Sequence, residues 1–389
     1  MSSPETRPVA LLSGAAYAGM FVFGIVMALL GAILPSLAGR LQFETADIGT
    51  LFLVMNGAML ASSLVLGLAM DRFGMKPPMA LGPFLVSAAL VIIVRATAFA
   101  ELLPAVALLG IGGGALNGAT NTLVADLHDD PHRKNAALNI LGVYFGFGAL
   151  FLPFTIGALL SWLSVGSLLL AAAALCALAG VFAAALSFPA PKQGHALTIA
   201  DVPRFLRSPF VLAFAFLLFF QSGVEFTLGG FISTYLTHDM AVTSVSLASW
   251  ILAGYWASVI VSRTVLSRIA LGSDPYRILL FCSLGACAGA VLAAVAPSTG
   301  VSAFAIVLSG WSLAGIFPTA LGIAGTRFKS HSGTVFGILF AVALAGGMML
   351  PWLAGRIGGA AGLRWVFGMI AASFAAILGL SRLAARLET

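Results

Sequence analysis

Twelve runs of mainly apolar residues, each long enough to cross a bilayer, follow one another along this chain with short polar or Gly/Pro-marked turns between them. A helix that spans the hydrocarbon core needs about 20 such residues. The runs cover 9 to 37, 48 to 70, 77 to 97, 102 to 125, 135 to 160, 164 to 188, 209 to 236, 244 to 267, 276 to 296, 300 to 326, 333 to 355 and 362 to 384. Composition agrees: 60% of the 389 residues are hydrophobic and 8% are charged, against roughly a quarter charged in a soluble domain. A water-soluble fold would lack the polar surface to cover so much apolar volume, whereas lipid accepts helices that are apolar on every side. Barrel strands would alternate over short segments, and no such alternation is present. The fold class is all-α polytopic membrane protein. The first run is too long for the apolar core of a signal peptide and reads as a retained span.

The net charge of +6 does not form a basic stripe, because the cations stand singly between apolar runs; this excludes a nucleic-acid surface and leaves topology as their role. With the N-terminus inside, fifteen of the nineteen Lys and Arg residues fall on the cytoplasmic side, Arg263 counted among them, and only Arg40, Arg95, Arg356 and Arg364 on the other. The expected location is a bacterial-type inner membrane with both termini cytoplasmic. Cys176, Cys282 and Cys287 lie within apolar runs and read as core residues. His128 to His132 (HDDPH) reads as a solvated loop, so neither metal nor cofactor is expected.

The polar stretch 189–208 divides the chain into an N-terminal six-helix half, 1–188, and a C-terminal one, 209–389. Leu152, Pro153 and Gly157 recur as Leu350, Pro351 and Gly355, and Gly112 recurs as Gly310 at the same offset. Such weak internal similarity is expected of two repeats related by an axis along the membrane normal.

After the second run the chain reads G-L-A-M-D-R-F-G-M-K-P, with Gly67, Asp71, Arg72, Gly74 and Lys76. This resembles the loop signature of the major facilitator superfamily, and the resemblance implies a twelve-helix carrier with alternating access around a central cavity. Gly74 would permit a tight turn. Arg72 and Lys76 could bridge to carboxylates such as Asp126, so that Gly67, Asp71, Arg72, Gly74, Lys76 and Asp126 would form a cytoplasmic gate.

The seventh run reads G-V-E-F-T-L-G-G-F-I-S-T-Y from Gly223 to Tyr235. This is similar to the pattern of the fucose permease-like branch, the fucose, galactose and glucose:proton symporters, with Phe231 where that pattern has Trp. Further similarity lies at Gly112 to Gly114, Asn121 to Asp126, Leu138 to Leu141, Phe145 to Ala149 and Ile316 to Thr319. The branch often has Asp where this chain has Asn117, and the first run holds no carboxylate, so those proton sites do not carry over.

Glu225 is the only acidic residue deep within a run. A carboxylate in a membrane is costly and functional by default, which makes it the proton-coupling candidate. Gln221 stands one turn away on the same helix face. Asn117 and Asn121 share another face, and Asn139 and Tyr144 lie in the fifth run; amides offer donors and acceptors to hydroxyls, or glue between helices. Trp250, Tyr255, Trp256 and Trp311 lie inside their runs, where aromatic faces can stack on sugar rings or pack. These ten residues, Glu225 included, are the expected solute contacts.

The resulting expectation is a monomeric secondary transporter, not an enzyme, for a small polar, sugar-like solute, with Glu225 to run any proton coupling. No G-x-x-x-x-G-K-[ST] motif is present to power a primary pump. A multidrug or lipid-like efflux carrier is the alternative suggested by the Met-rich, aromatic interior. A transport-incompetent solute sensor is the alternative of another class.

Overall fold

The computed structural model describes residues 6–128, 130–189, 202–269, 273–328 and 332–388; the side chains of 6–8, 66–69, 71, 131, 132, 135, 202, 267, 269, 332–334 and 388 fall outside the description. Among the described residues all regular structure is helical. The order is α1 (Thr6–Leu41), α2 (Thr45–Phe73), α3 (Lys76–Arg95), α4 (Phe99–Asp126), α5 (Pro131–Leu159), α6 (Val165–Ala185), α7 (Val202–Leu206), α8 (Pro209–His238), α9 (Val245–Ile269), α10 (Pro275–Ala294), α11 (Thr299–Leu313), α12 (Ile316–Arg327), α13 (Ser332–Ala361) and α14 (Leu363–Glu388). Twelve helices among the described residues are long and apolar enough to cross a membrane, with α11 and α12 together making one of them. The protein is a multi-pass membrane protein.

Local chemistry sets several helix starts. The Asp130 carboxylate accepts from the amide of Arg133, with Pro131 in the first turn, and Asp274 does the same for Tyr276 ahead of Pro275. Ser164 and Ser298 cap α6 and α11 through the amides of Ser167 and Val301. Each cap satisfies an amide that the first turn would otherwise leave without a partner. The tenth run, read from sequence as one helix over 300 to 326, is interrupted at Ala314 and Gly315. Pro318 has no amide hydrogen to give the carbonyl of Ala314, and its ring crowds that carbonyl.

The chain forms two compact units, Met1–Phe43 with Val54–Gly194, and Glu44–Leu53 with His195–Thr389. In the first, α1 packs along α5 and α4, and α3 packs along α4 and α6. The α1–α5 seam is tight enough that a Cβ on Gly148 would fall on the carbonyl oxygen of Phe21. In bilayers, such small-residue seams replace the hydrophobic drive that lipid cannot supply.

In the second unit, α8 packs along α13 and α14, α10 along α11 and α14, and α9 along α11. Here Gly346 of α13 takes the carbonyl of Phe219 where its own Cβ would stand. The sequence division at 189–208 assigned the whole second run to the first half, but the compact units place Glu44–Leu53 in the second. The cause is backbone contact: a Cβ on Gly49 would lie 2.8 Å from Cα of Trp352, and one on Gly355 would lie 2.9 Å from the amide nitrogen of Gly49.

Candidate functional site

A polar cluster of the second unit lies on α8 and α9. Near the middle of α8, Gln221 and Glu225 follow at one-turn spacing, and the Gln221 amide donates to Glu225 Oε2 at 3.0 Å. Arg263 of α9 donates through Nη2 to the other oxygen, Oε1, at 3.2 Å. The carboxylate therefore has a counter-charge from one helix and an amide donor from another position on its own. This corrects the sequence reading of Arg263 as a charge that only orients the chain: it lies within the membrane-crossing stretch Val245–Leu266 and reaches across to α8.

Tyr255 and Trp256 pack beside this cluster. Gly310 of α11 makes room for Tyr255, since a Cβ there would lie 2.7 Å from the ring. Gly229 of α8 does the same for Trp256, at 3.1 Å from its six-membered ring. The two aromatic rings meet edge to face at 5.2 Å. Tyr255 is near enough to Glu225 and Arg263 to feel both charges. Gln221, Tyr255 and Trp256 are all buried, so in this conformation they are interior groups of the unit. Trp250 and Trp311 are exposed. Trp311 also offers its backbone carbonyl to the Ser262 hydroxyl at 2.5 Å, a bond that ties α11 to α9.

The rest of the Gly223–Tyr235 pattern now has physical roles. A Cβ on Gly223 would lie 2.8 Å from the carbonyl oxygen of Gly346, so glycine lets α13 approach. Gly230 accepts the ring of Phe52, and Phe231 stacks on the same ring with centroids 6.2 Å apart. Tyr235 donates to the carbonyl of Ala293 at 2.8 Å and stands 3.2 Å from the Ser302 hydroxyl, tying α8 to α10 and α11.

The first unit holds a second polar group. The Asn121 amide donates to the backbone carbonyl of Asn117 at 2.8 Å and approaches its side-chain oxygen at 3.3 Å, as the shared helix face requires. Asn121, Asn139 and Tyr144 are exposed, and Asn117 is half-buried. Tyr144 lies parallel to Tyr17 of α1, with ring centroids 4.8 Å apart. Tyr17 was not singled out in the sequence, because a lone Tyr in a first span gives no sign of its partner.

In the loop signature, Gly74 adopts φ of 78°, the left-handed turn that its position suggested. Arg72 lies over the ring of Phe73 at 5.3 Å, Lys76 is exposed, and Asp126 is half-buried at the end of α4. Of the other residues expected in the gate, Gly67 lies within α2, and the side chain of Asp71 falls outside the description.

The sequence model of the Major Facilitator Superfamily matches residues 16–243. The glucose/mannose transporter GlcP of Bacillus subtilis (strain 168) is 24% identical over 359 residues, covering 87% of this chain and 86% of GlcP. Among solved structures, a D-xylose-proton symporter superimposes with a TM-score of 0.80 at 12% identity, covering 96% of this chain and 97% of that one. The fucose:proton symporter FucP of E. coli does so with a TM-score of 0.67 at 18% identity, over 97% and 98%. The family match spans more than half of the sequence, the fold likeness nearly all of it, and the chain belongs to the major facilitator superfamily of membrane transporters.

Proposed function

We propose that the protein is a secondary active transporter for a small polar, sugar-like solute, working by alternating access and coupled to a proton through Glu225. The observation that carries this reading is the Gln221–Glu225–Arg263 cluster. Charged and amide groups deep in a membrane helix bundle are costly, and they persist where a solute or ion pathway uses them. The glucose/mannose transport named for GlcP supports the choice of solute class. Asn117, Asn121, Asn139 and Tyr144 are further candidates for hydroxyl contacts, and Trp250 and Trp311 for exposed aromatic faces. Gly67, Asp71, Arg72, Gly74, Lys76 and Asp126 would form a cytoplasmic gate, in a monomer of the inner membrane with both termini cytoplasmic.

The test is uptake of a labelled sugar panel by proteoliposomes holding the purified protein, with and without an imposed pH gradient. Accumulation that follows the gradient supports the reading. Accumulation of a hydrophobic dye in place of every polar solute rejects it in favour of efflux.

A further inference from the structure

Three membrane-crossing stretches of the second unit have an end at one boundary: that of α8 starts at Pro209, that of α11 and α12 stops at Arg327, and that of α14 stops at Leu387. The short helix α7 packs against α8 and α13 just ahead of this boundary. Its Phe205 is buried, with the ring 5.7 Å from that of Phe328, the residue after Arg327. Phe328 meets the ring of Phe210 at 5.9 Å, and Arg327 lies 4.2 Å over that same ring. Arg327 also donates to the carbonyl of Leu387 at 3.3 Å. A knot of aromatic rings therefore fixes α7 beside the last residues of α12 and α14.

The knot decides where the charges go. With Phe205 turned inward, Arg204 and Arg207 are exposed one turn apart, and Leu206 beside them is 44% exposed. Arg327 is exposed as well. Among the described residues none of these three cations is in an ion pair. Neither α7 nor α12 contains an acidic residue, and Glu388 is the only one in α14; Asp201, ahead of α7, lies outside the described residues. Arg277, at the start of α10, instead has Asp274 at 3.9 Å. Cations gathered without a carboxylate between them repel one another, and a bound anion removes that penalty.

We propose that Arg204, Arg207 and Arg327 hold the phosphate of an anionic phospholipid, with Leu206 against its acyl chains. Planar guanidinium groups match the oxygens of a phosphate. Two features select a lipid over a free phosphate. The cations stand where membrane-crossing stretches end, at the level of headgroups, and basic side chains there attract anionic lipids. The exposed leucine among them gains from an acyl chain what it loses against water. The site is independent of which solute the chain carries.

The test is native mass spectrometry of the purified protein in detergent, titrated with phosphatidylglycerol or with phosphatidylcholine of the same acyl chains. Phosphatidylglycerol should bind at least about tenfold more tightly. Arg204→Gln/Arg207→Gln should remove that preference, and Arg356→Gln, near the other end of α13, should keep it. Equal binding of the two lipids, or a preference retained by the double variant, overturns the proposal. Glycerol 3-phosphate has the phosphate without acyl chains and should not displace the lipid at equal concentration; displacement overturns the lipid in favour of a free phosphate. A photoactivatable phosphatidylglycerol on the unaltered protein serves where the double variant does not fold. Its cross-links should include residues 202–207, and cross-links confined to other segments overturn the proposal.

Discussion

Gly346 has the carbonyl oxygen of Phe219 where a side chain would begin, and Gly148 has that of Phe21. The two pairs are separated by equal numbers of residues in the sequence, as are Gly112 and Gly310, and Pro153 and Pro351. The internal repeat is thus a repeat of backbone contacts, made by α5 on α1 in one unit and by α13 on α8 in the other.

Gly346→Val should therefore be among the most disruptive single changes in the second unit. Overpacking against a side chain typically costs about 1–3 kcal/mol, and here the obstacle is backbone, which cannot rotate away. We expect loss of the monodisperse peak in size-exclusion chromatography, and the same for Gly148→Val. A Gly346→Val protein with unchanged thermal stability would show that the seam is looser than described.

Glu225→Gln keeps one acceptor oxygen for Arg263 and turns an NH2 toward Gln221, whose amide can flip to offer its oxygen, while removing the group that can gain a proton. Solute exchange between equal pools should persist, and accumulation driven by a pH gradient should be lost. Proteoliposome uptake under a gradient and in counterflow separates the two; accumulation equal to that of the unaltered protein removes Glu225 from coupling.

At Gly74 the backbone φ of 78° disfavours any residue with a Cβ. Gly74→Val should lower stability by roughly 1–2 kcal/mol, and Gly74→Asn by less, since Asn enters the left-handed region more readily. Thermal unfolding of the purified variants reads the order directly.

Asn121 is exposed, and its hydrogen bonds run to Asn117 on its own helix. Asn121→Ala should leave the protein monodisperse and weaken solute binding at least tenfold, about 1.4 kcal/mol. Binding calorimetry checks this, and unaltered affinity removes Asn121 from the solute contacts. Trp256→Ala belongs to a different class. Trp256 is buried on Gly229, so truncation should lower stability before it reports on binding.

The twelve spans were legible because a bilayer imposes one length and one polarity on every crossing segment, and the Gln221–Glu225 pair because one-turn spacing is a property of the sequence itself. Arg263 was not legible as part of the site. A long basic side chain near a span end looks the same whether it turns to water or reaches across to a carboxylate on another helix. The packing of Tyr255 depends on Gly310, a residue that sequence analysis had noted only as half of a repeat. Pro318 does not by itself announce the interruption at Ala314, because α1, α3, α4, α5 and α13 carry an interior Pro without losing their helical run.

The Glu225–Arg263 pair also has an electrical meaning. Moving one elementary charge across a membrane potential is worth about 2.3 kcal/mol per 100 mV, but a carboxylate and a guanidinium held together sum to zero, and the field does no net work on them. Voltage gains a grip only when the sum changes. A proton on Glu225 leaves the pair with one positive charge, so the same two side chains decide whether the carrier responds to the membrane potential or ignores it.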